Sequence, residues 1–457
     1  MAAPSSRSAT HATMNMGAVV GALSHALDLT EGQPPGHCLR AAHVGRRVGA
    51  MLGLTGARLD DLWFAIVLKD LGCSSNAARI CELYLADDIA FKRDFKEIDG
   101  SLGAALRFVL KRTGVRTEGH AGWSERFRSI VNILQNGGSI AHELIETRCH
   151  RGADIAARMR FGADVQDGIR SLDERYDGSG KPCGLAGEAI PLFSRIALAA
   201  QVFDIFHTGS GLEAARREIE ARAGTWFDPA VARALCEVAA EPGLAEALAD
   251  GHGLVSAAPH ADMAADERFL DDVAAAFADV VDAKSPFTSG HCERVTLYAD
   301  MIAEEMEIAP DRRRWLRRAA LLHDIGKLGV GNDILDKPGR PSDREWDVIR
   351  THPVHGRRIL RLTEAFADCA DIAGDHHEKL DGTGYPNGRT GAAIGFETRI
   401  VSVADVFDAL SADRPYRKAM PPAKALAILD EGTGTAFDAR CVAALKRALD
   451  RTALLAA

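Results

Sequence analysis

A block of sequence occurs twice in this chain, and that repetition limits the folds open to it more than any other feature. Gly36-His37-Cys38-Leu39-Arg40 returns as Gly290-His291-Cys292-Glu293-Arg294, and Leu68-Lys69-Asp70-Leu71-Gly72 returns as Leu322-His323-Asp324-Ile325-Gly326. Both pairs stand 254 residues apart. At a spacing of 204, Asp173-Glu174-Arg175-Tyr176-Asp177-Gly178-Ser179-Gly180 matches His377-Glu378-Lys379-Leu380-Asp381-Gly382-Thr383-Gly384, and Arg195-Ile196 matches Arg399-Ile400. Gly224-Thr225-Trp226-Phe227-Asp228 matches Gly434-Thr435-Ala436-Phe437-Asp438 at 210. Matches kept in order, with spacings that change only in steps, read as a duplicated domain. The first copy has about fifty extra residues between Asp70 and Gly152, and it lacks six near where the second carries Asp413-Arg414-Pro415-Tyr416-Arg417.

Both copies are rich in Ala, Leu and Arg at helical spacing and show no alternating strands, so the expected fold is all-α, two helical domains in tandem. The first domain spans 17–240, with an insertion at about 71–149, and the second spans 267–457. Between them, 241–266 is rich in Ala, Gly, Pro and His and reads as a linker or a frayed helix end. Residues 1–16 read as a disordered tail, without the order of a signal peptide. Because duplicated domains often reuse an ancestral self-contact, the two copies are expected to pack as a pseudo-dimer.

Composition narrows the function. The net charge of −9 over 457 residues argues against polymeric DNA or RNA as a partner, while leaving room for a small nucleotide in a local basic pocket. Nine cysteines without a C-x-x-C pair read as reduced thiols, hence a cytoplasmic protein. No apolar run approaches the ~18–20 residues that a membrane span requires.

The chemistry concentrates in the second copy. Trp315, Leu316, Ala319, Ala320 and Leu322 recur at helical spacing behind Asp311, which reads as the cap, and Gly326 can leave that helix with positive φ. His323 and Asp324 then lie at a helix end, the one place where adjacent helical residues can reach the same ion. The same copy carries His291, His352, the pair His376 and His377, and Asp405. Imidazole nitrogen with carboxylate oxygen suits Fe, Mn or Zn. Five histidines and two aspartates are too many for one tetrahedral site and about right for two adjacent metals with open positions.

His323-Asp324 followed by His376-His377-Glu378-Lys379-Leu380-Asp381-Gly382-Thr383-Gly384-Tyr385-Pro386 resembles the HD-GYP family of metal-dependent phosphohydrolases, from about Asp282 to Leu445. The resemblance implies two HD-type domains, and two divalent ions, Fe or Mn, held by His291, His323, Asp324, His352, His376, His377 and Asp405. It gives Asp324 and Lys327 catalytic roles and assigns substrate binding to Lys327, Tyr385, Arg414 and Arg417. The implied activity is a cyclic di-GMP phosphodiesterase of bacterial signalling, giving pGpG and then GMP. The alternatives are another cyclic dinucleotide or nucleotide as substrate, or a nucleotide-sensing adaptor that recruits protein partners through the first copy.

His355, one turn from His352, reads as packing or as a support behind a ligand, and Glu378 and Asp381 as residues that orient ligands or the turn. In the first copy Lys69 replaces His323, Arg148 stands opposite His352, Leu172 and Asp173 replace the histidine pair, and Gln201 replaces Asp405. That copy is expected to hold no dinuclear centre, since an ammonium repels a cation and offers no lone pair. Phe287 stands where some family members carry a third-metal glutamate, so two metals are expected.

Overall fold

The structure, a computed structural model, describes residues 16–456 apart from 97, 99–101, 120, 260–265 and 416. The tail read over 1–16 therefore lies outside the described residues except for Met16, which opens the first helix. Among the described residues there are helices, 3-10 turns and four isolated bridges, with no strand. The all-α expectation is met.

The repeated sequence blocks fold alike. Gly36 (φ 88°) and Gly290 (φ 66°) stand in the left-handed region, which glycine adopts without a Cβ penalty, and each starts a helix, His37–Met51 and His291–Glu305. In the first half that helix packs on Ala57–Val67 and Leu192–Ser210; in the second it packs on Pro310–Leu322 and Phe396–Ser411. Glu174 accepts the backbone N–H groups of Cys183 and Leu185, and Glu378 those of Asn387 and Arg389, so each folds the loop after it back on itself. Asp381 caps its own turn by accepting from Thr383.

Two local expectations are corrected. The helix before His323 begins at Pro310 with Ala309 as its cap, so Asp311 lies in the first turn, where its charge favours the helix dipole. Gly326 does not take positive φ; it sits in the 3-10 turn Ile325–Gly329. A Cβ on Gly326 would collide with the carbonyl oxygen of His352, and one on Gly72 with that of Arg148. Glycine is needed there for close approach, which pins the His323-Asp324 turn against the start of helix His352–Leu360.

The halves pack reciprocally around one continuous apolar core. Helix Met16–Thr30 of the first half lies on the Ile325–Gly329 turn and on helix His352–Leu360, while helix Glu267–Asp282 of the second lies on the Cys73–Asn76 turn and on helix Trp123–Arg158. Arg158 and Arg160 pair with Asp279 and Asp272 beside that contact. The stretch read as a linker carries two short helices, Leu244–Ala249 and Gly251–Ser256, whose Leu244, Leu248 and Leu254 enter the core.

The extra residues of the first half reach across to the second. Asp88 accepts the backbone N–H of Asn332 (2.8 Å) and lies 3.4 Å from the buried Lys284 ammonium. Asp333 accepts from Thr117 N (2.6 Å), and Ser342 donates to Glu118 (2.6 Å). Asp87 sits in this contact, and burial, with Asp88 and Asp333 nearby, pushes its carboxyl up to about 6. Between about pH 4 and 6 the folded chain thus holds a proton there that the unfolded chain has lost, and stability falls as pH rises through that window. Asp87→Asn keeps the cap on Ile89. In thermal melts it is expected to stabilise the protein above pH 6, by on the order of 1–2 kcal/mol, and to change nothing near pH 4.

Candidate functional site

The seven sequence-predicted ligands converge in one buried cluster. His352, His376 and His377 form one group, His291, His323 and Asp324 a second, and His323, His376 and Asp405 a third; within each, the possible ligand atoms lie within 4.8 Å of one another. Asp324 stands between them. Its Oδ2 is 3.3 Å from Nε2 of both His291 and His323, and its Oδ1 is 3.4 Å from His352 Nε2 and 3.7 Å from His376 Nε2. Asp405 divides likewise, Oδ1 lying 3.4 Å from His291 and Oδ2 3.9 Å from His377.

Backbone and carboxylate partners set the direction of each ring. His323 Nδ1 lies 2.7 Å from Ala320 O, His352 Nδ1 2.7 Å from Ile349 O, and His376 Nδ1 2.9 Å from Ala373 O. A carbonyl can only accept, so each Nδ1 carries the proton and each Nε2 turns a lone pair inward. His291 Nδ1 is held the same way by Asp408 Oδ2 at 2.7 Å. The Nε2 atoms of His352 and His376 then face each other at 3.3 Å as two lone pairs, an arrangement that a cation between them relieves. His291 Nε2, His323 Nε2 and Asp324 Oδ1 are buried without a well-formed hydrogen bond, as ligand atoms would be. These donors fit a metal.

Electrostatics agree with the geometry. Burial holds His352 down to about 3, so its imidazole is neutral. Burial also disfavours charge on His291, but the Asp324 and Asp408 carboxylates outweigh it and push that ring up to about 9. The field that holds a proton there also favours a divalent cation. Lys327 donates to Asp324, and Arg414 is close enough to oppose the Lys327 charge. Among the described residues no hydrogen bond or ion pair engages the Arg414 guanidinium, whereas that of Arg417 donates to Ala409 O, Leu410 O and Lys418 O. Arg417 thus fastens the end of helix Phe396–Ser411. Tyr385 stacks on His377 at 4.7 Å, and the Arg350 guanidinium lies over the Tyr385 ring, 5.7 Å from its centroid. Phe287 is half-buried, and His355 lies outside the cluster.

Sequence reasoning overlooked Asp408, which binds both His291 and Arg294, and Ser402, which donates to His376 O at 2.6 Å. A signal for Asp408 existed. Asp204 stands 204 residues earlier and binds His37 and Arg40 in the same manner. Partners of metal-bound imidazoles typically contribute about 10–100-fold to metal affinity or activity. Asp408→Ala is expected to lose that much in a metal titration, with activity partly restored by excess metal.

In the first half the matching cavity is filled by cations of the chain itself. Lys69 donates to Asp70 and lies 3.6 Å from Cys38 Sγ, and Lys96 lies 2.5 Å from Glu31. Arg148 pairs with Asp173. Glu31, Asp70 and Cys73 are close enough together to hold an ion, but Lys69 and Lys96 already neutralise the two carboxylates.

The sequence pattern of the HD domain family matches residues 128–231 and 275–441. The chain belongs to that family. It is 50% identical over 432 residues, 94% of this chain and 93% of the relative, to 3'3'-cGAMP-specific phosphodiesterase 3 of Vibrio cholerae. The crystal structure of a cyclic GMP-AMP-specific phosphodiesterase of V. cholerae superposes with a TM-score of 0.65 at 43% identity, covering 95% of this chain and 97% of that one. Cyclic di-GMP phosphodiesterase response regulator RpfG of Xanthomonas campestris is 43% identical over 162 residues, 35% of this chain and 43% of its own. These HD-domain matches correct the substrate expectation. The relative that aligns along both halves is specific for 3'3'-cGAMP, not cyclic di-GMP, and the pGpG product falls with that reading. The physical reason is that the shared motifs specify metal and phosphodiester chemistry and carry no contact to a base edge.

Proposed function

We propose that this HD domain protein is a metal-dependent phosphodiesterase that hydrolyses 3'3'-cGAMP. The observation that carries the reading is the 50% identity to a 3'3'-cGAMP-specific enzyme over nearly the whole of both chains. The architecture we infer is two HD-type domains in tandem, 17–240 and 267–457 joined by 241–266, the first non-catalytic because Lys69, Lys96 and Arg148 fill its cavity. The loops and helix starts that recur in both halves support it.

His291, His323, Asp324, His352, His376, His377 and Asp405 would hold two divalent ions; the imidazole–carboxylate donor set suits Fe, Mn or Zn, and the family resemblance points to Fe or Mn. Such ions supply Lewis acidity for a phosphoryl oxygen and lower the pKa of water. The chain does the rest. The fixed tautomers of His291, His323, His352 and His376 keep their Nε2 lone pairs aimed at the cluster, and Asp324 presents Oδ2 to the first two and Oδ1 to the last two. Lys327 and the uncommitted Arg414 give the negative phosphodiester two cationic contacts. Tyr385, stacked on His377, and the half-buried Phe287 offer apolar walls for a base.

The purified full chain should convert 3'3'-cGAMP to a linear dinucleotide in a chromatographic assay and lose that activity on chelation, with metal analysis giving about two ions per chain. Intact 3'3'-cGAMP after incubation with the metal-loaded protein would overturn the proposal.

A further inference from the structure

The extra stretch of the first half carries a surface that the proposed reaction does not use. Of eleven large hydrophobic side chains exposed among the described residues, six belong to it: Phe95, Leu106, Leu110, Trp123, Phe127 and Leu134. Three of these lie on helix Trp123–Arg158, whose 36 residues extend about 54 Å. Along it, Phe127, Val131, Leu134, Gly138, Ala141 and Ile145 recur at intervals of four, three, four, three and four, the seam of a coiled coil. None of them belongs to, or packs against, either apolar core of the chain. Phe127 and Leu134 are 56% and 57% exposed.

Gly137 and Gly138 sharpen the point. Each glycine in a helix interior weakens the helix relative to alanine. A Cβ at either would meet nothing within 4 Å, so no contact inside this chain explains them. Small residues on an open helix face let another helix approach closely.

We propose that this face binds a second copy of the chain through an antiparallel pairing of the two Trp123–Arg158 helices. Antiparallel pairing centred between Leu134 and Gly138 puts Leu134 over Gly138, Val131 over Ala141 and Phe127 over Ile145. The two bulkiest exposed side chains of the seam then avoid their own copies, and every layer occurs twice about the twofold axis. A parallel pairing would set Phe127 on Phe127 and Leu134 on Leu134 while leaving a void at Gly138. Charge selects the same direction. The antiparallel arrangement brings Arg126 and Arg128 of one copy toward Glu146 and Glu143 of the other, where a parallel one would align like charges. Beyond the seam, Trp123 is 81% exposed and stacks on Phe127 at 5.7 Å, and Arg126 ties the adjacent helix Leu102–Arg112 alongside by donating to Leu110 O.

The test is the mass of the full chain by sedimentation over a concentration series. Wild type should run at twice the chain mass, and Phe127→Glu/Leu134→Glu at the single mass with an unchanged helical spectrum. Gly138→Leu should weaken the dimer, whereas on a free helix face it would only raise the melting temperature. Direction is read by oxidative crosslinking in a Cys183→Ser background. Phe127→Cys and Ile145→Cys proteins should crosslink when mixed and fail to do so alone. A wild type of single-chain mass throughout, a dimer that survives Phe127→Glu/Leu134→Glu, or crosslinking of Phe127→Cys alone would each overturn the proposal.

Discussion

Asp324→Ala is expected to lower phosphodiesterase turnover by roughly 10³-fold or more, the scale on which loss of a central electrostatic group acts. The reason is its position. One carboxylate faces His291 and His323 through Oδ2, and His352 and His376 through Oδ1, so no other side chain can replace both contacts. It is also the partner of the half-buried Lys327, whose ammonium would lose the carboxylate it donates to. Metal content should fall with activity, while the circular-dichroism spectrum stays helical because the surrounding helices are held by the apolar core. A variant that retained near wild-type turnover would show that the cluster is not the reaction centre.

The second large effect is expected far from that cluster. Asp88→Ala should destabilise the whole chain by about 3–5 kcal/mol in denaturant unfolding, the cost of removing one partner of a buried ion pair. Asp88 is fully buried. Burial disfavours its charge, but Lys284 and Lys92 outweigh that and hold the carboxyl at about 2. Lys284, itself 1% exposed, is depressed by its burial and depends on Asp88 for compensation. Without Asp88, the Asn332 N–H and the Lys284 ammonium lose their acceptor, and Lys92 keeps only Thr30 O and the more distant Glu31. Adding Lys284→Met should recover part of the loss, giving a non-additive double-mutant cycle. Turnover should also drop, because Lys284 leads directly into the Phe287 loop and His291.

Much of this arrangement is legible in the sequence. Helical periodicity without strand alternation gave the all-α class, the spacing of the repeated blocks gave two halves that fold alike, and the donor chemistry with the family resemblance gave the set His291, His323, Asp324, His352, His376, His377 and Asp405, which the fold brings together. What could not be read were contacts between residues distant in the chain. Nothing local marks Asp88 as the partner of Lys284, and the role of Gly326 depends on a carbonyl 26 residues away, at His352. Arg417 lies in an arginine-rich loop, yet its guanidinium is committed to backbone carbonyls, a distinction only coordinates make. The substrate was misread for a different reason. The motifs that carry the resemblance consist of metal ligands and phosphate contacts, and none of them reads a base edge, so they could not distinguish one cyclic dinucleotide from another.

That choice is the claim to test. The purified, metal-loaded full chain would be given an equimolar mixture of 3'3'-cGAMP, cyclic di-GMP and cyclic di-AMP, and the three consumed in competition followed by chromatography. Competition reports the ratio of kcat/KM values directly. Depletion of 3'3'-cGAMP well ahead of both symmetric dinucleotides is the predicted result; equal depletion, or cyclic di-GMP consumed first, would contradict it.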